Sequence, residues 1–68
     1  MKTLPERIAA LYGGRHGANL WIVSALGLSA GQVSRVMNGR ADPPMALVAC
    51  VELLEALDPD DWPERWRI

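Results

Sequence analysis

Cysteine and histidine are too scarce in this chain to hold it together. Cys50 stands alone, so no intrachain disulfide can form, and His16 is the only histidine, so no Cys/His set with metal-binding spacing exists. Long apolar runs are missing as well. The longest, Met45 to Val51, falls far short of the about 20 residues that cross a bilayer, which excludes a membrane as partner. The opening Met-Lys-Thr-Leu-Pro lacks the charged start and apolar stretch of a secretory leader, so the expectation is a cytoplasmic protein. There is no internal repeat, low-complexity segment, linker or alternating strand pattern. Nor is there a phosphate-cradling glycine loop or a carboxylate pair in a pocket motif. The chain is therefore expected to be no enzyme, with no cofactor and no small-molecule ligand.

What remains is packing by a short chain. Its 68 residues leave room for a single domain, and a chain near that length hides only about 60% of the surface its unfolded form exposes. Half of the residues are hydrophobic, and a second copy is the simplest cover for what one small core leaves open. A homodimer is expected.

A net charge of −1 is not typical of a nucleic-acid binder, but the distribution is uneven. Residues 1–40 hold Lys2, Arg7, Arg15, Arg35 and Arg40 against Glu6, a net +4. Residues 41–68 hold Arg65 and Arg67 against seven carboxylates, a net −5. One half is suited to meet an anion and the other to avoid one; two solvated surfaces that merely segregate are the alternative.

Glycine and proline divide the chain into short helices. Thr3-Leu4-Pro5-Glu6 has the form of a capping box that starts a first helix, with Ile8, Leu11 and Tyr12 on one stripe and Gly13-Gly14 as its stop. From Ala18 the set Leu20, Ile22, Val23 and Leu26 predicts a second helix ending at Gly27. Ser29-Ala30-Gly31-Gln32 is a second capping box only two residues later, so a third helix begins after a tight turn. Two helices joined this closely form a helix-turn-helix, whose second helix enters the major groove of DNA. A fourth helix is expected from Asp42 as N-cap, with Pro43 and Pro44 in its first turn, to about Leu57, with Cys50 as a buried hydrophobe. Its apolar positions cover an arc wider than the about 100° one packing face needs, wide enough for both the core and a dimer mate.

The stretch Asn19 to Arg40, with Gly27 in its turn and Asn38-Gly39 followed by Pro43-Pro44, resembles the Cro/XRE repressors of phages and bacteria. The resemblance covers about residues 15–60. It implies an all-α fold, a compact four- to five-helix bundle of the lambda-repressor type. The implied function is a sequence-specific transcriptional repressor that binds double-stranded DNA as a homodimer on a palindromic operator, of phage or mobile-element origin. Val23 stands where the family carries Ala, and Ala30-Gly31 where many members carry long polar base readers. The chain's size and Trp-containing tail are similar to those of the small repressors that accompany anti-CRISPR genes.

Helix phase assigns the roles. With Val33, Val36 and Met37 inward, the third helix presents Ala30, Gly31, Ser34, Arg35 and Asn38 outward. Ala30, Gly31, Ser34 and Arg35 are the expected base readers. Arg35 leads, because a bidentate contact to guanine is its commonest specific use, at roughly 1–3 kcal/mol of discrimination; a surface or phosphate-bound arginine is the alternative. Asn19, Gln32, Asn38, Arg40 and Arg15 are the expected phosphate contacts, Gln32 having capping of its own helix as a competing role. His16 reads as a plain exposed side chain.

The tail, about residues 58–68, is too polar for a core yet carries Trp62 and Trp66, four apart and so on one face if helical. With Leu53 and Leu57 they are the expected dimer contacts, and folding back on the same chain is the alternative for the tail. Trp21 lies off the inward set of the second helix, where contact with this tail and partial exposure are both open. A protein-interaction module, an antitoxin or inhibitor reusing the fold, is the competing function.

Overall fold

The punctuation read above recurs in the computed structural model, which describes residues 2–68. Four α-helices, α1 (Leu4–Tyr12), α2 (Ala18–Leu26), α3 (Ala30–Met37) and α4 (Met45–Ala56), are followed by two short 3₁₀ turns, Pro59–Asp61 and Glu64–Trp66. The fold is all-helical, with no strand among the described residues. The Thr3 box is complete: the Thr3 hydroxyl accepts from the Glu6 N–H, and the Glu6 carboxylate accepts from the Thr3 N–H. Glycine in the left-handed conformation stops α1 at Gly13 and α2 at Gly27.

Helices α1 to α3 surround a core of Ile8, Ala18, Ile22, Val33, Val36 and Met37, and α4 closes it with Leu47, Val51 and Leu54. Leu11, Tyr12, Val23 and Leu26 pack half-buried around it. Helix α1 packs against α2, α3 and α4 alike. Its Arg7 also forms an ion pair with Glu55 of α4 through two nitrogens, Nε donating to Oε2 at 3.0 Å.

The tail departs from expectation. Trp62 and Trp66 are not presented to a partner subunit: each is only 4% exposed, buried in the core of its own chain. The segment is not one helix but two single turns, because Pro59 and Pro63 each interrupt it. Trp21, expected off the inward set, is buried beneath it and joins it as the centre of an aromatic cluster. Its ring lies 5.2 Å from Tyr12, 5.9 Å from Trp62 and 5.2 Å, nearly edge-on, from Trp66. Both buried polar tips are satisfied. The Trp21 indole N–H donates to Trp66 O at 3.0 Å and that of Trp62 to Leu54 O at 3.1 Å.

Other expectations shift for local reasons. Helix α4 starts at Met45 with Pro44 as N-cap, three residues after Asp42. A residue before proline is pushed out of the helical region, so Asp42 and Pro43 both stay outside the helix, and Pro44, extended at ψ 144°, is its N-cap. At the far end Leu57 is already extended ahead of Asp58-Pro59. Leu20, expected inward, is 71% exposed, and its place is taken by Trp21 and Ala25. Leu53 is 63% exposed and Leu57 is exposed too, while Cys50 is only half-buried.

The tail predicts a large cost for one truncation. Trp66→Ala should destabilise the protein by about 3–5 kcal/mol in urea unfolding, the usual range for a buried large aromatic, whereas Leu53→Ala should stay within about 0.5 kcal/mol. Equal effects would remove the tail from the core.

Acid should act through Glu55 and Glu6. Hydrogen bonds from Arg7 hold the Glu55 carboxyl below its ordinary value, and the backbone N–H of Thr3 does the same for Glu6. A lowered carboxyl contributes stability that is fully present above the ordinary Glu value of 4.5 and is lost as pH falls through the lowered one. The thermal midpoint should therefore hold from neutral pH down to that value and decline below it, and Glu55→Gln should flatten part of the decline.

Candidate nucleic-acid interface

Three residues, Gly27-Leu28-Ser29, separate α2 from α3. Gly27 adopts φ +70°, a left-handed conformation that lets the chain reverse at once. Its N–H donates to Val23 O at 2.9 Å, and the Ser29 hydroxyl then accepts from Gln32 N at 3.1 Å to open α3. Only this half of the second capping box forms. No hydrogen bond from the Gln32 side chain back to Ser29 is present, so Gln32 is half-exposed beside the start of α3 instead of closing it.

Helix α3 buries Val33, Val36 and Met37 and turns its other side outward. Ala30, Gly31, Arg35 and Asn38 are exposed there; Ser34 is half-buried among them, its hydroxyl 3.4 Å from the Asn38 amide nitrogen that donates to it. The expected readers thus share one face. Arg35 has no carboxylate within ion-pair distance among the described residues, where Arg7–Glu55 is the one such pair. Its guanidinium leans back toward the helix start, as helical side chains do, and passes over Gly31: a Cβ built on Gly31 would lie 3.8 Å from Arg35 Nη1. That is ordinary contact, so packing within the chain does not demand glycine at this position.

Around α3 lie the expected phosphate contacts. Asn19 is exposed in the first turn of α2, whose N-cap, Gly17, makes no side-chain cap. A side chain at Gly17 would be strained at its φ of +89° and would displace the Tyr12 ring, whose Oη would stand 2.9 Å from its Cβ. The first N–H groups of α2 are therefore left without a side-chain cap beside Asn19. Asn38 and Arg40 stand exposed past the other end of α3, where Arg40 N donates to Arg35 O at 2.8 Å and fixes the loop against the helix. His16 is exposed, as read from the sequence.

Arg15 does something the sequence did not disclose. Its Nη2 donates to Met37 O at 3.2 Å, tying the α1–α2 loop to the last turn of α3. A cation there also meets the negative end of that helix. Arg65 and Arg67 were likewise missed. From the acidic half of the chain they return to brace α2 and the tail, Arg65 donating to Ala25 O at 3.4 Å and Arg67 to Trp62 O and Asp60 O at 3.1 and 3.0 Å. Non-local partners such as these leave no periodic signal.

Among the described residues no group of three His, Cys, Asp or Glu side chains is placed to hold a metal ion, and no helix is long and apolar enough to cross a membrane. No family model, curated protein or solved structure matches the chain.

Gly31→Ala should raise stability, because alanine fits and is the better helix former by up to about 1 kcal/mol. In thermal melts of a domain this small that corresponds to a rise of about 4–8 °C at most. A fall in the midpoint would mean that Gly31 is needed by the fold itself.

Proposed function

We propose that the protein is a sequence-specific double-stranded-DNA-binding transcriptional repressor that acts as a homodimer on a palindromic operator. The observation that carries this reading is the outer face of α3. It follows a three-residue turn from α2 and displays an arginine without an ion-pair partner over a glycine that the fold does not require. A short helix presented in this way fits the width of the major groove, with α2 crossing the sugar-phosphate backbone above it. Arg35 then forks onto the O6 and N7 of a guanine, Ala30 and Ser34 contact neighbouring base edges, and Gly31 lets the helix backbone come close to the DNA.

The phosphate contacts lie on both sides of this reader. Asn19 and the open N–H groups of α2 meet one phosphate; Asn38 and Arg40, past the end of α3, meet another. Gln32, uncommitted to a cap, and the free nitrogens of Arg15 extend the contact. These contacts set register without reading sequence. The resemblance of residues 19–40 to the Cro/XRE repressors supports the same role and a mobile-element origin.

Binding-site selection from a random duplex pool tests the reading. An enriched palindrome bound about 10³-fold or more tighter than a scrambled duplex is the expected result; no enrichment would defeat it and favour a module that masks another protein. On the selected duplex Arg35→Ala should relax preference at one base position per half-site at about 1–3 kcal/mol, while Arg40→Ala should weaken all duplexes alike and lower the salt slope by about 1. Gly31→Ala should bind more weakly while melting higher.

A further inference from the structure

Two side chains on the outer face of α3 stand in one column. Ala30 and Ser34 are one turn apart, which sets their Cβ atoms about 5–6 Å from each other on the same side of the helix. The column continues to Asn38, a further turn along, whose amide nitrogen donates to the Ser34 hydroxyl at 3.4 Å. Arg35 leans over Gly31 in the next column. We infer that Ala30 and Ser34 together read one thymine in each half-site, beside the base pair that Arg35 reads, and that Asn38 is the positioning residue that makes the Ser34 hydroxyl a donor. The inference deepens the proposed function and rests on it.

A hydroxyl alone is an ambiguous reader. It has one hydrogen and two lone pairs, so it accepts from the amino group of adenine or cytosine as readily as it donates to a keto oxygen. The Asn38 amide biases that choice. It fills one lone pair of Ser34 Oγ, while the hydroxyl hydrogen is given to no protein group among the described residues. When a duplex covers this face, leaving the hydrogen unmet costs its full desolvation, whereas an oxygen that already accepts one bond tolerates an idle second lone pair. Ser34 therefore faces the groove as a donor.

Ala30 selects among the acceptors. Its methyl is exposed one turn nearer the start of α3, and thymine carries a C5-methyl beside its O4 acceptor on the same major-groove edge. The column matches thymine at two atoms, a hydrogen for O4 and a methyl for the methyl. Cytosine fails at both, because its N4 amino group opposes donor to donor and its C5 bears no methyl. The two columns lie about 5 Å apart around the helix, and stacked bases are about 3.4 Å apart, so the thymine falls on the base pair next to the guanine of Arg35.

Modified bases in the duplex recovered by selection test the match atom by atom. The recovered half-site should hold a thymine next to the guanine whose preference Arg35→Ala relaxes. Deoxyuridine in its place, lacking the methyl, should weaken wild-type binding by about 4-fold per half-site. A 5-methylcytosine–guanine pair keeps the methyl but turns the acceptor into a donor, and should weaken binding by about 10-fold or more. Ser34→Ala should lose the second discrimination and keep the first, and Ala30→Gly should do the converse. Asn38→Asp should invert the second. A carboxylate can only accept, so it takes the Ser34 hydrogen, leaves lone pairs facing the groove and favours 5-methylcytosine over thymine; a merely structural Asn38 would weaken both duplexes alike and leave their ratio unchanged. A recovered half-site without that thymine, or an unchanged ratio in Asn38→Asp, overturns the inference and leaves the functional reading standing. If no duplex is enriched, both fall.

Discussion

The contact between Trp21 and the tail is the one on which the remaining structure depends. A chain of this length with no disulfide among its own residues has little apolar surface to hide, and three of its largest side chains meet at a single place. Trp21 lies between Tyr12 and the two tail tryptophans in tilted and edge-on contacts, and its indole N–H closes on Trp66 O at 3.0 Å. Buried aromatic pairs of this kind add about 0.5–1.5 kcal/mol each beyond their burial. The polar tips end on backbone carbonyls, so burying them leaves no unsatisfied group, and none is found among the buried side chains described. The radius of gyration, 11.0 Å, is the about 11 Å expected of a fully packed chain this long, which leaves no room for a trailing segment.

This brace determines how α2 is held, and through α2 the placement of α3. The α2 helix is short and carries no side-chain cap at its start, so it depends on neighbours to stay in place. It has them on several sides: α1, α3 and the second 3₁₀ turn. Arg65 adds a bond to the carbonyl of Ala25 near the end of α2, and Arg15 fastens the loop before α2 to the end of α3. Two arginines that composition alone would assign to surface charge thus work as struts. On the outer face of α3, by contrast, the side-chain hydrogen bond is local, from Asn38 to Ser34. Its glycine, its unpaired arginine and its small side chains are a local loss for the fold, the pattern expected where a surface is kept for something outside it.

Most of the helical frame was legible because it is written locally. Thr3-Leu4-Pro5-Glu6, Gly13, Gly27 and Ser29 act on residues within one turn of themselves, and each marks a boundary in the structure. The outward face of α3 was legible for a similar reason: Val33, Val36 and Met37 are strictly periodic, so their complement follows. Leu20 was misjudged, and Trp21 left open between the tail and solvent, because periodicity identifies a stripe against one neighbour and α2 has a second neighbour supplied from more than 40 positions away. The tail was misjudged by treating Trp62 and Trp66 as one helical face, although Pro63 between them forbids that helix. The start of α4 was placed early because two successive prolines were read as a first turn, whereas each excludes the residue before it from the helix.

Segregated charge acquires a structural meaning once the ion pair is placed. Arg7 and Glu55 are the point where the basic half and the acidic half are joined, and their charges cancel there. What is left on the first half is Lys2, Arg15, Arg35 and Arg40 against Glu6, of which Arg35 and Arg40 lie on or just past α3. Of the carboxylates that remain on the second half, Asp42 precedes α4 and the others lie on α4 and the tail. A net charge of −1 therefore does not argue against an anionic partner, because screening limits each charge to about 8–10 Å at physiological salt, less than the extent of the molecule along any axis. A polyanion lying along α3 meets chiefly the local cations. The acidic side, by the same screening, bears only on what approaches α4 and the tail.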